Sequence, residues 1–300
     1  MTRILIKQKE VPFAIYIKNF YGRRILRIFP PYFLYLFLIL VLMLFGVVPK
    51  NLLNQLIIAA TFTYDFYHAS EFFSQTNFFN HLWALSVVVQ YYIFWPWIIY
   101  GCPKRHLKRL MLFLIIAGPV IRALTFCFWG SVPYGIWMRV LVVYLLPTSY
   151  IDAFAMGSLL SIVSFKGSKR WFFVLLFFTL IMGLVNSGSE SYFRTLGYPL
   201  FLPLYYQFIW GYSLLNYTIA FLIMCIAKRN FMPFFFENRI VSYLGEISYG
   251  IYIFHFPFYL LYPQFLFPTI LVFIIIASAA SYHFLELPLN RRKEYLFPYP

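Results

Sequence analysis

Residues 247–285 contain no Lys, Arg, Asp or Glu. That single feature limits the possible folds more than any other. Drawn as one helix at roughly 1.5 Å per residue, the run would extend about 58 Å, nearly twice a hydrocarbon core of about 30 Å. The chain must therefore cross an apolar layer, turn and cross back. Pro263 and Pro268 mark the turn, because proline lacks an N–H and clashes inside a helix.

The remainder reads the same way. Of 300 residues, 62% are hydrophobic, 24% aromatic and 11% charged, whereas a soluble domain is about a quarter charged. Such a chain cannot cover its apolar surface in water. The spacing predicts an all-α, polytopic integral membrane helical bundle. It has about eight transmembrane helices plus one interfacial or partial helix. No fixed-period repeat and no linker divides it, so residues 1–300 read as one domain.

The formal net charge is +15. It does not indicate nucleic acid as a partner, because the basic residues form short clusters between apolar runs and not a stripe on one face. Clusters of this kind report topology. Arg3 to Arg27 precede the uncharged run 31–48. Residues 51–66 are short and amphipathic, the interfacial element. Residues 67–80 hold no Lys or Arg and read as outside. Spans then follow at 81–98, 110–129, 136–165, 171–189 and 204–227, with basic clusters at Lys104–Arg109, Lys166–Arg170 and Lys228–Arg239. Of the 24 Lys and Arg, only Lys50, Arg122, Arg139 and Arg194 fall away from the inner side. Both termini are thus expected in the cytoplasm. The three cysteines, Cys102, Cys127 and Cys225, form no C-x-x-C pair, so neither a disulfide framework nor a zinc site is expected.

Ionisable groups inside spans are costly and mark candidate sites. These are Arg122, Arg139, Asp152, His255, His81, Glu246 and Glu286. Each has a structural alternative: the arginines snorkel to the outer interface, Asp152 neutralises one of them, and the glutamates lie near water. Ser248, Tyr252, His255, Tyr259 and Tyr262 recur at helical spacing. A hydroxyl stripe around a histidine is expected to face the bundle interior, either lining a sugar cleft with His255 as base or bonding a neighbouring helix. In "HLWALSVVVQYYIFWP", residues 81–96, Trp83, Ser86 and Gln90 share another polar face.

Several segments together resemble one family. "NFYGRRILRIFPPY" (19–32), the stretch 81–96, "YIDAFAMGSLLS" (150–161), "ISYGIYIFHFP" (247–257) and "FLELPLNRR" (284–292) follow the order of motifs in the acyltransferase 3 family of membrane O-acyltransferases. The resemblance implies a ten-span enzyme of the bacterial cytoplasmic membrane. Such enzymes transfer an acyl group, often acetyl, from cytosolic acyl-CoA to a hydroxyl of a surface carbohydrate. Known acceptors include O-antigen, exopolysaccharide, peptidoglycan and lipid-linked glycans. Acyl-CoA is a co-substrate and no cofactor is bound. The implied partners are the donor, the glycan and membrane lipids. On that reading His255, His81 and Asp152 are the catalytic candidates, with Asp152 set against Arg139. Arg122, Arg139, Ser86, Gln90 and Tyr252 are the candidates for holding substrate.

Two departures from the family pattern stand out. The opening "MTRILIKQKE" resembles the tail of the family's second span, which places the first two spans, and the histidine usually assigned as catalytic, ahead of Met1. The signature's two glutamates are replaced by Val88 and Val89. Three readings stay open on the residues: an acyltransferase, a non-catalytic remnant or split half of one, and a transporter or flippase of a polar lipid or sugar. No inverted repeat supports the third.

Overall fold

A computed structural model of the chain describes residues 1–74, 76, 78–128, 136–163, 168–189, 207–228, 231–261 and 266–298. Lys166, Arg194, Arg229, Tyr262 and Pro263, which entered the sequence reading, lie outside the described residues. The helices are α1 (Thr2–Lys7), α2 (Phe13–Leu44), α3 (Leu53–Ala60), α4 (Tyr64–His68), α5 (Leu82–Gly101), α6 (Leu107–Phe128) and α7 (Ile136–Leu145). They continue with α8 (Ile151–Ile162), α9 (Ser168–Ser189), α10 (Gln207–Ala227), α11 (Pro233–Phe236), α12 (Arg239–Leu261), α13 (Phe267–Ser281) and α14 (Leu287–Leu296). No strand occurs among the described residues.

Six helical stretches among these residues are long and apolar enough to cross a membrane, and a seventh is counted if the bent pair α7–α8 is one span. That pair meets at 66°, where Pro147 opens the turn between the two halves. The described part of the expected 136–165 crossing is therefore two helices set at an angle and not one straight helix. The eighth expected crossing, α12, is a helix of 23 residues. It is not among the six because Ser242, Glu246, Ser248 and His255 dilute its apolar character. Phe37, Phe113, Ile116, Phe177, Ile223 and Ile276 point outward. A surface this apolar is stable against lipid and not against water.

Local chemistry sets the ends. α2 closes on Gly46 at φ 75°, with Val47 N–H bonded to Leu42 C=O at 2.9 Å, the left-handed glycine cap of a helix C-terminus. The expected interfacial stretch, residues 51–66, becomes the short helices α3 and α4, broken at Phe62, whose φ is 55°. A π-helical turn, Tyr282–Glu286, joins α13 to α14.

Two compact units emerge. The first comprises Met1–Arg3 and Gly101–Phe236, the second Ile4–Tyr100 and Glu237–Pro300. In the first, α6 lies along α8, and α10 packs on α8 and α9. In the second, α12 packs on α13 and α2, around a core that includes Tyr32, Tyr35, Ile39, Leu82, Val89 and Ile253. Gly250 brings α12 close to α13: a Cβ there would lie 3.1 Å from Ser278.

The expected polar stripe of α12 is corrected by this packing. Tyr259 is 61% exposed. Ser248 is also exposed and bonds Gly245 C=O of its own helix at 2.8 Å. The face turned to the core carries Ile247, Gly250, Ile253, Phe254 and Pro257, which recur every three or four residues. Apolar burial sets the rotation of the helix, and of the stripe's described residues Tyr252 and His255 are half-buried.

Candidate functional site

His81 sits one residue ahead of α5 and is buried. Its Nε2 lies 3.1 Å from Ile253 C=O on α12. A carbonyl only accepts, so this partner assigns the ring proton to Nε2. Nδ1 is then left with a lone pair, and it is buried without a hydrogen-bond partner. A buried polar atom without a partner is uncommon and calls for an explanation.

The second imidazole is adjacent. The His81 and His255 rings are 5.2 Å apart, centroid to centroid. His255 Nδ1 lies 2.6 Å from Tyr252 C=O, which by the same argument puts a ring proton on Nδ1. The Tyr252 hydroxyl donates to the His81 carbonyl, and Phe256 stacks on His81 at 5.0 Å. Helix α12 thus presents Tyr252, His255 and Phe256 to one residue at the head of α5. Across the Tyr35 ring, 5.6 Å from the His81 ring, lies an apolar cavity of about 530 Å³. Leu38, Leu42, Phe254, Pro257 and Phe284 help to line it.

The rest of α5 is internal. Ser86 is fully buried and its hydroxyl donates to Leu82 C=O at 3.2 Å. Val89 is buried in the core and Val88 half-buried. Gln90 bonds a residue that sequence reasoning missed. Its amide donates to Asp65 Oδ1 and Oδ2 at 2.9 and 3.1 Å and to Phe62 C=O at 3.0 Å. Asp65, on α4, is fully buried. Burial pushes its carboxyl up to about 6, partly offset by the Gln90 bond and by backbone N–H groups. The available signal was its isolation: it is the one Asp, Glu, Lys or Arg between Lys50 and Glu71.

The first unit holds the other charged candidates. Arg122 and Asp152 are both fully buried. Arg122 Nη1 reaches Asp152 Oδ1 at 3.0 Å and Nη2 reaches Oδ2 at 2.9 Å, a bidentate pair. Its remaining N–H groups go to Ile209 C=O at 2.7 Å, Ser149 C=O and Ser213 Oγ. Every guanidinium donor is engaged inside the protein. Asp152 also accepts from Ser213 Oγ at 2.5 Å, Tyr217 at 3.4 Å and its neighbour's backbone Ala153 N–H at 2.9 Å. The partner of Asp152 is therefore Arg122 and not Arg139. The break at Pro147 turns Ser149 C=O and Asp152 toward α6. Arg139 instead lies over the Phe126 ring at 5.2 Å, with Nε buried and without a hydrogen-bond partner.

The sequence candidates thus fall into two sets, His81, His255, Tyr252, Ser86 and Gln90 in one unit and Arg122, Asp152 and Arg139 in the other. No group of three or more His, Cys, Asp or Glu that could hold a metal ion occurs among the described residues.

An all-helical bundle in which two adjacent imidazoles are each bonded through one ring nitrogen to a backbone carbonyl defines a class of polytopic membrane protein. The family model described as an acyltransferase domain matches residues 15–282. The chain belongs to the acyltransferase 3 family. No curated protein and no solved structure matches it.

Proposed function

We propose that this chain transfers an acyl group, acetyl in the simplest case, from cytosolic acyl-CoA to a hydroxyl of a surface carbohydrate or lipid-linked glycan. It would do so in a bacterial cytoplasmic membrane, with both termini in the cytoplasm. The observation that carries this reading is the buried, unpartnered Nδ1 of His81 beside the His255 imidazole. Transfer to a hydroxyl needs a base at the moment the oxygen attacks. A neutral imidazole nitrogen accepts the hydroxyl proton as the new C–O ester bond forms at the thioester carbonyl. The C–S bond breaks, and the proton leaves with the CoA thiolate. The bond from His81 Nε2 to Ile253 C=O fixes the tautomer, and Tyr252 holds the His81 backbone. The Arg122–Asp152 pair, with every guanidinium N–H engaged, acts on this reading as architecture that ties α6, α8 and α10 together. Arg139 keeps donor capacity for an anionic group.

The test is labelled-acetyl transfer from acetyl-CoA into the glycan and lipid fractions of membranes carrying the full chain. His81→Gln keeps an N–H where Nε2 stands, for Ile253 C=O, and removes the Nδ1 lone pair. Transfer by the native chain and its loss in His81→Gln at equal membrane abundance support the reading. Equal transfer by both removes His81 as base, and no transfer by the native chain returns the non-catalytic reading.

A further inference from the structure

The first unit contains a cleft of about 870 Å³. Its walls come from α8, with Ala153, Gly157 and Leu160, and from α10, with Asn216, Ala220 and Ile223. Asp152 and Ser213 are bonded near one end, and the lining then runs along both helices to Val163 and Lys228. At roughly 1.5 Å per residue that is a groove of about 15 Å. Arg3 also lines it. Thr2, buried, bonds Ser158 at 2.7 Å, which fixes the Arg3 backbone beside α8, one position from Gly157. Small and aliphatic side chains dominate the lining, Ser161 and Asn216 add polar groups, and Arg3 and Lys228 supply positive charge.

We infer that this groove is a binding site for one anionic phospholipid, with its phosphate at Arg3 and Lys228 and an acyl chain laid between α8 and α10. The argument is charge complementarity joined to an apolar channel inside a membrane protein. Basic pockets between membrane helices on the cytoplasmic side hold anionic head groups. The positive-inside bias assigns the Lys228 end to that side, the leaflet where anionic lipids concentrate. Ile219, Ile223 and Met224 offer aliphatic surface along which an acyl chain can lie. The inference does not depend on the proposed transferase chemistry, which uses residues of the other unit.

Native mass spectrometry of the full chain, purified in detergent and mixed with phosphatidylglycerol or phosphatidylcholine, tests it. One phosphatidylglycerol should be retained in preference to phosphatidylcholine. Arg3→Gln and Lys228→Gln should each weaken that preference by about fivefold. Gly157→Leu should fill the groove and lower retention of both lipids. If that variant fails to fold, the two surface glutamine variants still decide the matter. Equal retention of the two lipids, or an unchanged preference in both glutamine variants, overturns the inference. Displacement of phosphatidylglycerol by acetyl-CoA also overturns it and makes the groove a donor site.

Discussion

Gly118 on α6 faces Asp152 on α8 so closely that a Cβ at Gly118 would fall 2.5 Å from the Asp152 Cβ. Neither group can yield easily. The carboxylate is clamped by Arg122 and Ser213, and the glycine is inside a helix. The absence of a side chain at position 118 is what allows α6 to deliver Arg122 to Asp152. Gly118→Ala should therefore cost about 1–3 kcal/mol through overpacking, and more if the ion pair is pried apart. The midpoint of thermal unfolding in detergent measures it, and a midpoint equal to the native one would show that the helices can separate without loss.

The pair itself makes a sharper prediction. Removing one partner of a buried ion pair leaves an uncompensated charge and costs about 3–5 kcal/mol. Arg122→Met and Asp152→Leu should each destabilise the protein to that degree. The double variant should cost less than the sum of the two, because it leaves no orphaned charge. Unfolding by denaturing detergent, run as a double-mutant cycle, reads the coupling. Strict additivity would mean that Arg122 and Asp152 act independently.

Much of this arrangement was legible in the sequence. The uncharged runs located α2, α5, α6, α9, α10 and α13, since apolar length is a one-dimensional property. The pairing of Asp152 was not legible. Arg122 and Arg139 both lie in apolar surroundings, and spacing tells which residues share a face but not which helices meet. The break at Pro147 settles the matter by turning Ser149 C=O and Asp152 to α6. The stripe on α12 misled for a related reason: Ser248 and Tyr259 are on the right period, yet the burial of Ile247, Ile253 and Phe254 and the close approach of α13 at Gly250 fix the rotation. Asp65 was passed over because it lies outside the long apolar runs. Its burial depends on Gln90, which is 25 positions away.

His255 allows a separation of structure from chemistry. Its Nδ1 bonds Tyr252 C=O within its own helix, while Nε2 is the ring nitrogen left for proton transfer. His255→Asn retains an N–H at the Nδ1 position and lacks Nε2, whereas His255→Ala lacks both. If Nε2 takes part in proton transfer, both variants should lose acyl transfer by about 10²- to 10⁴-fold, at unchanged membrane insertion. Recovery of transfer by the asparagine variant alone would show that His255 serves only to hold the helix.

Asp65 gives the pH dependence of the second unit. Its carboxyl is raised from an ordinary value of 3.8 to about 6 by burial. Between those two values the folded state holds more protons than the unfolded chain. Stability from this group is therefore greatest below about pH 4, falls as the pH rises toward about 6, and is level above that. The full difference amounts to about 3 kcal/mol. Asp65→Asn carries no charge at any pH and still offers an oxygen to the Gln90 amide. The variant should be more stable than the native protein at pH 7.5 and lose most of that advantage at pH 4.5. Unfolding midpoints of both proteins at the two pH values measure the effect, and the difference between proteins cancels every other titrating group. A variant less stable than the native protein at pH 7.5 would show instead that the carboxylate charge is held favourably by Gln90 and the surrounding N–H groups.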